Sequence, residues 1–394
     1  MAQITVLSTF TRICRSALFA LGRELAGWKP SRARATFGAE AMLSVALSVA
    51  LAHALDLSQT WWAAISGFAV MQTSFAGSVQ RASHRIMGTV IGAALGTLVG
   101  PWIGDRPWLF VPALGIIGGI TVYCANGSKA AYAWILSGVT ALMVTFEAHK
   151  FASVRATAAF ATLRVGEVTV GTMACLLVAS VFQFAPQWYR GTRTPAALSS
   201  ALTAVDSGAP AAPVSTPPAK SLRPTRLLLG LQAALSVTIL AALTYVMHLP
   251  GFAQAMVTAI AVLIVPLGLA TDSTREPVME KMVQRVAGCL LAGALGVALL
   301  PLMRGQAVLC MLALSVGVWA GCHVQTGKQG ASYVGRQFTI AFIMVFVQDH
   351  QWSADPVPAL MRLSGILTGI VVLAAVMLAT SRLPVSTLSR DVRN

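Results

Sequence analysis

Arg164 and Glu167 stand three positions apart in RVGEVTVG (164–171), within an apolar run that extends from 158 to 184. On a helix that spacing puts both side chains on one face. Charge in such surroundings costs several kcal/mol unless it is paired or hydrated. Two chemistries fit. In one, Arg164 pairs locally with Glu167 and the arginine reaches outward to a membrane surface. In the other, arginine uses its planar fork to hold an anionic substrate, while Glu167 carries a proton. Arg362 repeats the pattern in RLSGILTG (362–369), with Gly365 where Glu167 stands. It is the second candidate for substrate binding. His149 follows Glu147 closely, and His350 adjoins Asp349. Histidine titrates near neutrality and could pass protons, so His149 and His350 join Glu167 as proton-coupling candidates. Both also read as ordinary interface loop residues.

The elements that must position these residues are apolar. Of the 394 residues, 56 % are hydrophobic and 10 % charged, against about 25 % charged in ordinary soluble domains. The apolar residues fall into twelve runs: 39–56, 61–77, 86–101, 107–125, 131–147, 158–184, 227–247, 251–270, 286–301, 306–324, 333–348 and 358–380. Runs of this length cross a hydrocarbon core of about 30 Å as helices. They lack the alternation of a membrane β-barrel. The expectation is an all-α integral membrane protein of about 12 transmembrane helices, with the lipid bilayer as its first partner.

A net charge of +15 would ordinarily suggest nucleic acid, but its placement excludes it. With the N-terminus in the cytoplasm and twelve crossings, cytoplasmic segments hold 21 Lys and Arg and the opposite loops hold 4. That bias puts both termini in the cytoplasm and leaves no soluble basic face for a nucleic acid. The basic segment 1–34 is broken by six Lys and Arg, so it is not a cleavable signal. It reads as an amphipathic helix on the inner leaflet or as a plain cytoplasmic tail.

The chain says much of this twice. RIMGTVIGAALGTLVGP (85–101) returns as RVAGCLLAGALGVALLP (285–301), with six identities in 17. EAMLSV (40–45) returns as QAALSV (232–237), and Gly127 with Tyr132 as Gly327 with Tyr333. Residues 35–184 and 227–380 therefore read as two six-helix repeats. An even number of crossings makes them parallel. A Pro- and Ala-rich cytoplasmic linker occupies 185–226 and a cytoplasmic tail 381–394. Gly88, Gly92 and Gly96, with Gly288 and Gly296 in the copy, recur at four-residue multiples, which suits close helix packing. Arg85 and Arg285 stand where long cationic side chains reach headgroups. Trp61 and Trp62 fit an interfacial belt.

Six cysteines show no metal spacing, and no metal or cofactor is expected. There is no P-loop, GxSxG or HExxH, so no enzyme is read here. Transport by this chain would use an ion gradient or run passively.

The stretch WWAAISGFAVMQTSFAGSVQRASHRIMGTVIGAALG (61–96) resembles the fusaric acid resistance (FUSC) family of aromatic acid exporters. The likeness rests on Trp62-Ala63, on Arg85, Gly88, Thr89 and Gly92, and on Arg164 with Gly171. The second half departs from it at Phe252-Ala253, Cys289 and Ala292. The resemblance implies a bacterial inner-membrane protein exporting aromatic carboxylic acids or related organic anions, driven by protons. It leaves open a periplasmic adaptor protein and a homo-oligomer as partners. A passive organic-anion channel and a non-transporting envelope protein are the alternatives.

Overall fold

A computed structural model describes residues 2–27, 31–151, 153–189, 223–247, 252–265, 275–348, 352 and 354–382. The expected linker falls mostly outside these residues, at 190–222, as do His350 and residues 383–394 of the tail. The described residues form α1 (Ala2–Ala26), α2 (Arg32–Ala54), α3 (Thr60–Ala69), α4 (Phe75–Ile103), α5 (Pro107–Ala125), α6 (Ala131–Phe151) and α7 (Val154–Tyr189). They continue with α8 (Arg223–Met247), α9 (Phe252–Val262), α10 (Arg275–Met303), α11 (Ala307–Gln325), α12 (Ser332–Phe346) and α13 (Val357–Ala379). A short 3-10 turn at Thr380–Arg382 follows.

Each of the twelve apolar runs holds one of α2 to α13, but not all of these helices are long enough to cross. Among the described residues, nine helices have the length and apolarity of a membrane span. The other three run to 10, 11 and 15 residues in α3, α9 and α12. That makes them roughly 15 to 23 Å long, short of the hydrocarbon core. By length and apolarity, the expectation of twelve spanning helices is met in nine of them among the described residues. The cause of the shortfall is local in the run 61–77, where Gln72, Thr73 and Ser74 interrupt the apolar residues. The chain leaves α3 after Ala69, and Ser74 Oγ caps α4 by accepting from the Gly77 amide at 3.2 Å.

A broken helix in an apolar bundle leaves backbone groups that need partners. At the end of α9, Asn126 supplies them from the other half of the chain. Its side chain donates to the Leu263 carbonyl at 3.1 Å and accepts from the Val265 amide at 2.9 Å. The buried amide replaces the helical bonds that α9 forgoes.

Helix contacts come in matched pairs. α4 lies along α6 as α10 lies along α12, and α2 packs on α7 as α8 packs on α13. Across the halves, α5 lies on α8 and α11 on α2, while α3 meets α12 and α9 meets α6. The glycines of α4 face α6. A Cβ on Gly88 would stand 2.5 Å from the Ala133 carbonyl oxygen, and one on Gly96 would stand 2.6 Å from Val144 Cβ. Gly92 lies against Ser137 and Gly296 against Val345, and a Cβ on Gly288 would stand 2.6 Å from the Val334 carbonyl oxygen. Outward faces carry apolar side chains such as Leu98, Trp102, Trp108 and Val308, all more than two-thirds exposed. That arrangement suits lipid contact.

The first helix does not stand apart. Ile13, Ala17, Ala20 and Glu24 are buried, and α1 packs on α10 and α11. The buried Glu24 carboxylate pairs with Arg34 and accepts from the Gln329 amide at 3.1 Å. Arg34 also donates to the His323 carbonyl at the end of α11. In the other half, Arg226 at the start of α8 donates to the Tyr123 carbonyl near the end of α5, at 3.3 Å. Each half thus caps a helix end of the other with a cation, which also suits the helix dipole.

Two glycine substitutions test the packing. Gly96→Ala is expected to destabilise the protein by about 1–3 kcal/mol through overpacking against α6. A Cβ at Gly166 meets no atom within 4 Å, so Gly166→Ala is expected to be neutral or to gain up to about 1 kcal/mol of helix propensity. Unfolding midpoints of the two variants in detergent measure this. Equal midpoints would remove the packing role of the α4 glycines.

Candidate functional site

Where the two halves meet lies a cavity of about 240 Å³. Its walls come from α3, α4, α6, α9, α10, α12 and α13, and from Gln325 at the end of α11. Two kinds of surface line it. The apolar part is built from Trp61, Trp62, Phe68, Met143, Ile340 and Met344 among others. The polar part holds four arginines: Arg81 and Arg85 from α4, Arg285 from α10 and Arg336 from α12. Among the described residues, no Asp or Glu lines it.

Helical spacing explains the cluster. Arg81 and Arg85 stand one turn apart, so they share the face of α4 turned to the cavity. Arg85 donates to Tyr132 Oη at 2.7 Å, and the Arg81 guanidinium lies 4.3 Å from the centre of the same ring. In the other half, Arg285 donates from Nε to Thr258 Oγ1 at 3.2 Å and from Nη1 to Gln337 Oε1 at 2.6 Å. Arg85 and Arg285 are only 4 % and 8 % exposed. Their hydrogen-bond partners are neutral, and Arg85 Nε is buried without a partner. Both arginines, expected as headgroup anchors, are buried and line the cavity. α4 and α10 begin well before them, so they sit one or more turns inside the bundle and not at its edge. Trp61, also expected at the interface, is buried, and it lines the cavity together with Trp62.

Arg164 and Arg362, the expected substrate-binding pair, do not line the cavity. They stack on its tryptophan wall. The Arg164 guanidinium lies 3.9 Å from the Trp62 ring centre, the Trp61 and Trp62 rings are 4.2 Å apart, and Arg362 lies 4.9 Å from Trp61. This cation–π order joins α7, α3 and α13. Arg362 also donates to the Met344 carbonyl. Arg164 and Glu167 are 3 % and 1 % exposed and approach to 3.5 Å. Gln59, at the start of α3, binds both. Its amide donates to Glu167 Oε1 at 2.9 Å, and its side-chain oxygen accepts from Arg164 at 3.2 Å. The pair therefore holds the start of α3 and, through Trp62, the cavity wall. The structure brings Arg164 and Glu167 together as the sequence spacing required.

His149 lies apart from the cavity. Its Nδ1 is 2.5 Å from the Gly104 carbonyl oxygen, and its ring packs near Phe110 and Tyr245. His350 falls outside the described residues. Sequence reasoning missed Arg81, Arg336, Tyr132 and Gln337 as cavity residues. A signal was present for the first three. Arg81 is one turn before Arg85, Arg336 interrupts an apolar run, and Tyr132 has a counterpart in Tyr333.

Residues 34–212 match the fusaric acid resistance protein family. Over that stretch the resemblance read from Trp62-Ala63 and from Arg85 to Gly92 is shown. Among curated relatives, the uncharacterized transporter YdhK of Salmonella typhimurium is 30 % identical over 133 residues, covering 33 % of this chain and 20 % of that protein. The uncharacterized transporter YdhK of Escherichia coli K12 is 26 % identical over 153 residues, covering 38 % of this chain and 23 % of that protein. The match thus spans about a fifth of the relatives' length. No solved structure matches the chain. The family match and the long apolar helices make this a multi-pass membrane protein.

The buried ion pair gives a stability prediction. Glu167→Ala leaves the Arg164 guanidinium buried beside Gln59 without its carboxylate, and is expected to cost about 3–5 kcal/mol. Glu167→Gln keeps an acceptor and is expected to cost less. Thermal unfolding in detergent ranks the two. Equal losses would mean that the carboxylate does not hold the start of α3.

Proposed function

We propose that this chain is a secondary transporter of the bacterial inner membrane. In this reading it exports aromatic carboxylic acids or related organic anions in exchange for protons. The two halves act as parallel six-helix repeats, with both termini in the cytoplasm. The observation that carries the reading is the cavity between the halves, which has an apolar aromatic wall, four arginines and, among the described residues, no acidic lining residue. Arg85 and Arg285 are buried with neutral partners, and buried cations without counter-charge are costly. An anion with an apolar body repays that cost by supplying the charge to the arginines and the body to Trp61, Trp62 and Phe68. Planar guanidinium forks suit a carboxylate.

The matched helix contacts support the repeat, because a two-fold relation puts equivalent arginines on one cavity. The 21-to-4 distribution of Lys and Arg supports cytoplasmic termini. By that orientation the arginines lie on the cytoplasmic side of the bundle, where an exporter loads. Glu167 is the proton carrier in this reading. It lies behind the Trp61–Trp62 wall, so gain or loss of its proton changes its hold on Arg164 and the start of α3. The transporter names of the relatives and the family match agree with this reading.

The test uses inside-out membrane vesicles carrying the full chain and radiolabelled 4-hydroxybenzoate, with the lumen made acid. Accumulation above empty vesicles is expected, with collapse when the gradient is dissipated. Arg85→Gln is expected to reduce it at least about tenfold, the loss of one charge-assisted contact. Glu167→Gln is expected to abolish its dependence on the gradient. Uptake indifferent to the gradient in the native chain would indicate a passive anion channel. No uptake of any aromatic acid would overturn the transport reading.

A further inference from the structure

Two arginines in the cavity are more than nine-tenths buried, and they come from matching places in the two halves. Arg85 is 4 % exposed and Arg285 is 8 % exposed. Arg85 donates to a phenol, and Arg285 donates to a threonine hydroxyl and a glutamine side chain. None of these acceptors carries charge, and none of the described lining residues is acidic. The chain solves the same problem differently elsewhere. Buried Arg164 has Glu167, and Arg34 at the first half's edge has Glu24. Counter-charge is therefore missing at Arg85 and Arg285, while it is supplied at two sites outside the cavity.

A single carboxylate neutralises one of the two buried guanidiniums and leaves the other uncompensated. Two anionic groups on one ligand neutralise both. Arg85 Nε, buried and without a partner, offers a donor beyond the bond to Tyr132. The same cavity is lined by the tilted rings of Trp61 and Trp62, whose centres are 4.2 Å apart, an apolar aromatic surface for a ligand ring. We propose that the cavity selects aromatic dianions carrying two carboxylates, one taken by Arg85 and the other by Arg285, with the ring against the tryptophans. This rests on the organic-anion reading above and narrows its substrate class. The selectivity then has two sources, one in each half, and loss of either arginine removes it.

The experiment is equilibrium binding to the purified full chain in detergent, followed by tryptophan fluorescence. The ligands are benzoate, benzene-1,3-dicarboxylate and benzene-1,4-dicarboxylate at neutral pH and fixed ionic strength. At least one dicarboxylate is expected to bind about tenfold or more tightly than benzoate, as one further charge-assisted bidentate contact implies. In Arg85→Gln and in Arg285→Gln, the dicarboxylate-to-benzoate ratio is expected to fall close to one. The native comparison decides the matter by itself if either variant fails to fold. Benzoate binding as tightly as both dicarboxylates would overturn the dianion proposal and leave organic-anion transport standing. Binding of none of the three, in protein that unfolds cooperatively, would overturn both.

Discussion

A guanidinium inside an apolar bundle must be given a partner, and the partners of this chain's arginines organise the rest of the molecule. Arg34 and Arg226 cap helix ends across the two halves. Arg164, with Glu167 and Gln59, fixes the start of α3. Arg362 and Arg164 lie on the Trp61–Trp62 stack. Arg85 and Arg285 have only neutral acceptors and open onto a shared cavity. The first groups build the bundle. The last pair has only neutral acceptors, and in the proposed reading an anion supplies its counter-charge.

The short helices belong to the same design. α3 and α9 are both too short to span, and both line the cavity. Trp61, Trp62 and Phe68 of α3 and Val257 and Ala261 of α9 then line the space that a full span would fill. Unwound backbone is tolerated there because a buried polar side chain meets it, as Asn126 does for Leu263 and Val265. Close packing elsewhere makes the exchange sustainable. The glycine faces of α4 and α10 let α6 and α12 approach until backbone meets backbone, and in lipid such contact is a main source of helix association.

Much of this was legible in the residues. Apolar runs located the helices, because backbone in lipid has few other ways to satisfy itself. The echo of 85–101 in 285–301 anticipated the matched helix contacts. The spacing of Arg164 and Glu167 fixed their pairing, since three residues on a helix leave little freedom. The three helices that fall short were not legible, because run length measures apolarity and not where hydrogen bonding stops. At α3 the interruption was three small polar residues, Gln72 to Ser74, too slight to break a hydropathy run.

The sequence by itself determined what is periodic or local: helices, the echo of 85–101 in 285–301, glycine faces and the Arg164–Glu167 pair. Tertiary structure alone decided which arginines meet. Arg85 and Arg285 are 200 residues apart, and each read singly as a headgroup anchor. Only the packing of α4 and α10 about the same space turns both inward and separates them from the lipid surface. Arg164 and Arg362 looked like the cavity pair, because depth in an apolar run is visible in sequence. Direction is not visible in the same way. A helix presents every azimuth in turn, and which one faces a partner is set by the neighbours it packs against.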